Sequence, residues 1–389
     1  MSERTKHDLA EIVKHFQLEG RFLDAAPIGS GHINDTYVSR FQDGPRETRY
    51  IHQRINTFVF KEPDKLMENI ERVTRHARQQ IIAAGGDPRR ETLTLAPTTA
   101  GRSFYRTPEG ECWRTYLFIE GARTYDKAEN PQLIYTAGKA FGDFQRMLST
   151  LPGERLHETI PFFHHTPRRF ATFLRAVEDD LHDRARTVEA EIGFALQRQA
   201  HTSVVVDMLA RGVIPERVTH NDTKLNNVMI DDRTGAGICI IDLDTVMPGS
   251  ALYDFGDAVR LGASTAAEDE RDLNKVGLDL GLFERLTAGY LDATASFLTP
   301  AEMDHLAFSA ILITLELGMR FLTDHLNGDV YFRIHRPNHN LDRCRAQFRM
   351  VAEMERQLGR MNEIVSRYRG EERETSNVKR QTSSEKREK

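Results

Sequence analysis

The sequence predicts an α+β chain, with a small antiparallel sheet ahead of a mostly helical second half. Three observations predict it. Short β-like runs broken by glycine turns crowd residues 20–120. Beyond Gly121 apolar residues recur mainly with the helical period. One hairpin signature interrupts those helices, in the stretch THNDTKLNNVMIDDRTGAGICIIDLDT at 219–245. The boundaries that follow are an N-terminal helix in 1–19, a first lobe in 20–120, a second lobe in 121–369 and a tail in 370–389.

The first helix is read from Leu9, Ile12, Val13 and Phe16, which share one face. FLDAAPIGSGHINDTYVSRF then places a Gly-x-Gly turn between two strands, and RYIHQRIN is a third. PDKLMENIERVTRHARQQIIAAGG reads as a helix stopped by Gly85-Gly86. TLTLAPTTAGRSFYRT and ECWRTYLFIEG complete the sheet, with turns at Gly101 and Gly110. In the second half, helices are expected from PQLIYTAGKAFGDFQRMLSTL onward, within 168–211, and over 251–262, 283–297, 301–327 and 341–368. The final residues, GEERETSNVKRQTSSEKREK, hold almost no apolar side chain to offset their ordering entropy, so a disordered tail is expected.

Bulk properties narrow the function classes. Among 389 residues, 53 Lys plus Arg face 58 Asp plus Glu, a net charge of −5, which argues against a basic nucleic-acid surface. Cys112, Cys239 and Cys344 lie far apart, so neither a disulfide framework nor a cysteine-rich zinc site is expected. The N-terminus lacks an apolar signal core, and no run reads as a membrane span. The expectation is a reduced, cytoplasmic protein with no membrane partner.

The hairpin carries the chemistry. NVMI (227–230) and GICII (237–241) pair across DDRTGAG, which sets Asn227 beside Asp242. Asp222 enters on the preceding loop. Oxygen ligands of this kind suit magnesium, which takes few protein carboxylates and leaves positions for water and phosphate. Asn227 and Asp242 are therefore the candidate metal ligands, and Asp222 is free to accept a hydroxyl proton. The spacing His220-Asn221-Asp222, four residues, Asn227 matches that of the protein-kinase catalytic loop. Lys224 is placed to touch a moving phosphoryl group. Asp254-Phe255-Gly256 spells a kinase metal motif but lies outside the hairpin, so Asp254 and Asp257 are read as loop braces. Asp244 is open between a second metal ligand and a brace.

ATP then needs a cover and a fixed cation. Gly29, Gly31 and Asn34 in the glycine turn are the candidate cover. A third-strand lysine is missing. Gln53 and Arg54 stand there, and strand register decides which of the two faces the cleft; Arg54 is the candidate phosphate holder, oriented by Glu68 or, one turn on, Glu71. LFIEG (117–121), with Phe118 and Glu120, is the expected hinge against adenine, whereas the side chains of Trp113 and Phe118 are read as core. Arg320 and Asp324, at i and i+4, are the candidate acceptor-binding pair, with His32 and Tyr331 beside them. His164, His165, His335 and His339 are read as non-ligands.

These residues resemble a known group. VTHNDTKLNNVMID and CIIDLDTVMPGSALYDFGDAVR are similar to the aminoglycoside phosphotransferase and choline kinase superfamily. GSGHINDTY, HQRIN, VFKEPDKLMENI and LELGMRFLTDHLNGDVYF are most similar to its N-acetylhexosamine 1-kinases. The resemblance spans about residues 20–368. It implies a two-lobed, protein-kinase-like fold with ATP and magnesium in the cleft. It also implies Asp222 as base, Asn227 and Asp242 as metal ligands, and transfer to the anomeric hydroxyl of N-acetylglucosamine or N-acetylgalactosamine. The partner is then a small sugar, and the chain a monomer or weak homodimer. Other acceptors compatible with the same machinery are another hexose, choline, homoserine or an aminoglycoside. A kinase-like binding protein without turnover is the reading from another class.

Overall fold

The computed structural model describes residues 7–29 and 33–385, with side chains to residue 369. Gly31 and His32 lie outside the described residues, as do the side chains of the tail. A short helix α1 (Leu9–Ile12) and one 3₁₀ turn precede a five-stranded sheet. Its strands are β1 (Arg21–Pro27), β2 (Asp35–Asp43), β3 (Arg46–Ile55), β4 (Tyr105–Arg106) and β5 (Cys112–Leu117), in the order β1-β2-β3-β5-β4. All neighbours are antiparallel. Helix α2 (Pro63–Ala83) packs on one face through Leu66, Ile70, Val73 and Ala77, which lie one turn apart. The N-terminal segment covers the other face with Leu9, Val13 and Phe16.

This two-sided cover fixes which β3 side chains see the cleft. Residues alternate faces along a strand. Tyr50 packs under the N-terminal segment and Ile55 packs against α2. Gln53 therefore shares a face with Ile51 and Ile55, whereas Arg54 points the other way. The register pairs Gln53 with Arg114 and Arg54 with Trp113.

Strand β6 (Ala122–Arg123) leads from the hinge into the helical lobe. Helix α3 (Pro131–Leu148) starts at Asn130, whose side chain accepts from Leu133 N at 3.1 Å. Helix α4 (Thr166–Asp179) and the short α5 (Glu189–Leu196), α6 (Gln199–Thr202) and α7 (Val204–Ala210) follow. Next come β7 (Arg217–Thr219), β8 (Val228–Asp231), β9 (Gly237–Ile240) and β10 (Met247–Gly249). Strands β8 and β9 form the expected antiparallel hairpin, with β6 added beside β8. Strands β7 and β10 pair, which brings the loops after each together.

Helices α8 (Ala251–Gly262), α9 (Leu280–Thr294), α10 (Pro300–Leu326) and α11 (His339–Glu385) close the lobe. Helices α3 and α9 meet backbone to backbone: a Cβ on Gly289 would lie 2.0 Å from Tyr135 O. Helix α10 begins with a complete capping box, Thr299 with Glu302. By length and composition α10 is apolar enough to cross a membrane, contrary to the sequence reading. Its best window, however, is 83% buried within the protein, as expected of a central core helix. The backbone of α11 stays helical to Glu385, past the 341–368 span that periodicity suggested.

Candidate active site

The site is built on the loop between β7 and the hairpin. Asn221 adopts a left-handed backbone, φ 64°, a conformation that asparagine tolerates. Its side chain donates to Thr245 O at 2.8 Å and to Thr219 O at 3.2 Å. Asp254, at the start of α8, accepts from His220 N at 2.9 Å, Asn221 N at 2.7 Å and Gln145 Nε2 at 2.6 Å. Asp257 accepts from Thr223 N at 2.9 Å and from Arg260 Nε at 3.0 Å. Burial pushes its carboxyl up, but Arg260 and Lys224 outweigh that and leave it below the usual range. The literal Asp-Phe-Gly run is thus a brace for the loop.

His220 is fully buried against Phe141 and Phe144. Its Nδ1 accepts from Asp222 N at 3.3 Å and its Nε2 faces Ile241 O at 2.9 Å. Those partners require the neutral tautomer protonated at Nε2. Asp222 is half-buried, and Lys224 Nζ lies 2.8 Å from its Oδ1. Asn227 Nδ2 donates to Asp222 O at 2.8 Å and to Asp222 Oδ2 at 3.2 Å. This leaves the Asn227 amide oxygen as the ligating atom. Ile241 N bonds Asn227 O at 2.9 Å, so Asp242 begins beside Asn227 as the hairpin geometry requires.

Asp242 sits at φ 59°, ψ 58°, and no hydrogen bond to its carboxylate is present among the described residues. Burial, then Asp244 and Asp222, push it up to about 6, against the pull of Arg114. A crowded carboxylate without a donor fits a missing counter-charge. Among the described residues no three His, Cys, Asp or Glu side chains could hold a metal by themselves. The donor set here is a carboxylate, an amide oxygen and open positions, which suits magnesium shared with phosphate oxygens.

The nucleotide side departs from expectation. Arg54 Nε bonds Asp35 Oδ2 at 2.8 Å, and Nη1 lies 3.5 Å from Glu111, on the face away from the cleft. Glu68 faces His157 Nε2 at 2.9 Å and is 54% exposed. The expected Arg54–Glu68 pair is not formed, because strand alternation turns Arg54 toward the N-terminal segment. Glu71 also misses Arg54 and lines an open acidic groove of about 420 Å³ with Asp64 and Glu68. Helix α2 reaches the metal loop through the next residue instead: Asn69 Nδ2 donates to Val246 O at 3.1 Å.

The cleft-facing cation is Arg114 on β5, which sequence reasoning missed. An arginine inside the apolar strand CWRTYL was the available signal. Asn34 donates to Asp244 Oδ2 at 2.6 Å and accepts from Asn56 N at 2.9 Å, so it ties the glycine turn to the metal loop. Gly29 takes φ 84°, which the turn needs and glycine allows. At the hinge, Arg49 stacks 3.8 Å over Phe118 and pairs with the Glu120 carboxylate on the surface. Arg90 takes Glu120 O at 3.1 Å. The Glu120 side chain therefore turns away from adenine. Trp113 is fully buried.

On the acceptor side, Asp324 is a loop anchor and does not pair with Arg320. Its oxygens accept from Val330 N, Tyr331 N, Phe332 N and Asn340 Nδ2, at 2.8–3.0 Å. Four donors leave it little capacity for a substrate, which corrects its assignment as an acceptor ligand. Arg320 lies in an aromatic cup, 5.3 Å from Phe163, 5.9 Å from Tyr331 and 5.5 Å from Phe332. One turn earlier, buried Glu316 meets His164 Nδ1 at 2.8 Å, while His164 Nε2 faces Asn221 O at 3.4 Å. Helix α10 is thereby joined to the loop that carries Asp222. His165 caps α4, and His335 and His339 stand together beside Asp269.

The fold and site define a kinase-like phosphotransferase of two lobes. Residues 24–291, more than half of the chain, match the phosphotransferase enzyme family (APH), and the chain belongs to it. Its fold is shared with an aminoglycoside phosphotransferase from Alicyclobacillus acidocaldarius, at TM-score 0.60 and 12% identity over 94% of this chain and 99% of that one. An amicoumacin kinase in complex with AMP-PNP, Ca2+ and Ami gives 0.54 and 14% over 90% and 92%. A microcompartment-associated aminopropanol kinase gives 0.53 and 15% over 91% and 98%.

Proposed function

We propose that this phosphotransferase moves the γ-phosphoryl group of ATP to the anomeric 1-hydroxyl of an N-acetylhexosamine. The observation that carries the phosphotransfer reading is the open end of the catalytic loop. There Asp222, Asn227 and Asp242 converge; Asp222 accepts from Lys224 and Asn227, whereas the Asp242 carboxylate receives no donor among the described residues. The AMP-PNP and Ca2+ of the amicoumacin kinase complex support a nucleotide with a divalent cation.

Asn227 Oδ1 and the Asp242 carboxylate would hold magnesium, which would supply positive charge against the phosphates. Asp222 accepts the proton of the attacking hydroxyl, whose oxygen forms the new P–O bond as ADP leaves with the old one. Asn227 Nδ2 fixes the orientation of Asp222 for that transfer. Lys224 offsets negative charge beside it.

The sugar assignment rests on the acceptor wall as well as on the sequence resemblance. Its carboxylates are already committed: Asp324 to backbone donors, Glu316 to His164 and Thr166, Asp257 to Arg260. Arg320 stands over aromatic rings. Such a wall favours a neutral acceptor with hydroxyl and amide oxygens over a cationic amine.

The test is ADP release from magnesium–ATP with N-acetylglucosamine, N-acetylgalactosamine, glucose, choline, homoserine and kanamycin, with Asp222→Asn as control. Turnover is expected with an N-acetylhexosamine, lost on 1-O-methylation and in Asp222→Asn. Turnover confined to an amine or homoserine would keep the mechanism and sink the sugar assignment.

A further inference from the structure

Arg114 is one of the largest fully buried side chains, at 1% exposure, and no phosphate role is needed to explain its neighbours. Its Nη1 pairs with Asp244, itself 3% exposed. Its Nε and Nη2 donate to Gln53 Oε1 at 3.0 and 2.8 Å. Gln53 and Arg114 are cross-strand partners on the cleft face of β3 and β5. The other Asp244 oxygen holds Asn34 at the end of the glycine turn. Asp244 stands two residues beyond Asp242 in the same turn. One buried cation is thus the centre of a chain that runs from the third strand to the metal turn and back to the glycine turn.

We infer that Arg114 is the positioning residue that replaces the missing third-strand lysine: a fixed charge, moved one strand over, that sets the Asp242–Asp244 turn for the metal–nucleotide complex. The inference rests on the phosphotransfer reading of the site but not on which acceptor is used. Protein kinases place that charge on the third strand and orient it with a helix carboxylate. Here Gln53 occupies the cleft-facing position, Arg54 looks away, and the α2 carboxylate Glu68 bonds His157. Asp244 supplies the orienting carboxylate from the opposite lobe. A buried guanidinium needs a partner of good geometry, so the pair stays fixed before nucleotide arrives.

The experiment is magnesium–ADP binding by calorimetry, with melting temperature recorded for every variant. Wild type must bind; its failure to do so would sink the phosphotransfer reading itself, whatever Arg114 does. Arg114→Gln is expected to lose at least tenfold in affinity. Gln53→Lys/Arg114→Gln, which returns the charge to the third strand, is expected to recover most of that loss. Arg114→Lys, which keeps the charge and drops the fork to Gln53, is expected to stay within about threefold of wild type. Folded Arg114→Gln with unchanged affinity overturns the proposal. So does a charge-returned variant that regains its melting temperature but not its affinity. Should neither glutamine variant fold, Arg114→Lys decides: a tenfold loss of binding at wild-type melting temperature refutes the role of charge.

Discussion

The braced end of the catalytic loop and its open end use the same side chain under opposite conditions. At the braced end Asp254 is 1% exposed and collects three donors, two of them backbone N–H groups of the loop. At the open end Asp242 collects none among the described residues and is crowded by Asp222 and Asp244. A buried carboxylate with its donors in place stabilises the fold. One without them is destabilising until a ligand supplies the missing charge. Donors and burial, not the residue type, separate the two ends: Asp254 is sealed with its partners, whereas Asp242 is half-buried and has none among the described residues.

That contrast can be broken most directly by truncating each end. Asp242→Ala is expected to lower kcat by on the order of 10²–10³-fold, as for loss of one electrostatic clamp. It should leave stability at neutral pH equal to or above wild type. Asp254→Ala strands two buried backbone N–H groups and Gln145, and is expected to lose about 2–5 kcal/mol in urea unfolding. Comparable destabilisation by both variants would abolish the distinction.

The next effect is linkage. The folded-state pKa of Asp242, about 6, lies above its unfolded value. The folded protein holds that proton more tightly, so its contribution is present at low pH and is lost as pH rises toward 6. Magnesium relieves the penalty only where Asp242 is ionised. The magnesium-induced rise in Tm should therefore be larger at pH 7 than at pH 5, by on the order of 2 °C, and Asp242→Asn should remove the difference. A rise equal at both pH values would place the cation elsewhere. The smallest effect sharpens the comparison from outside the site. Glu68→Gln is expected to change kcat by less than about twofold and stability by within about 0.5 kcal/mol, since Glu68 is itself exposed and meets only one half-buried histidine.

The sequence carried the open end of the site well because that end is local. Asp222, Asn227 and Asp242 fall within 21 consecutive residues, and a hairpin is the simplest way to close them. The braces Asp254 and Asp257 were legible for the same reason. The nucleotide side was not. Arg54 was assigned to the cleft, yet one residue of strand alternation separates it from Gln53, and only the cover on each face decides which looks inward. Arg114 and Asp244 are 130 residues apart, so nothing in spacing links them. Arg320 and Asp324 do share a helix face. The backbone donors that claim Asp324 arrive from a loop that no periodicity predicts.

That loop anchor has an evolutionary consequence. Asp324, itself held by Asn340, anchors residues 330–332 by their main chain, while Val330 and Tyr331 remain 78% and 56% exposed. The identity of those side chains is decoupled from the path of the chain. Sequence drift at 330 and 331 can therefore change the exposed side chains without moving the backbone, whereas a change at Asp324 would release the main chain itself.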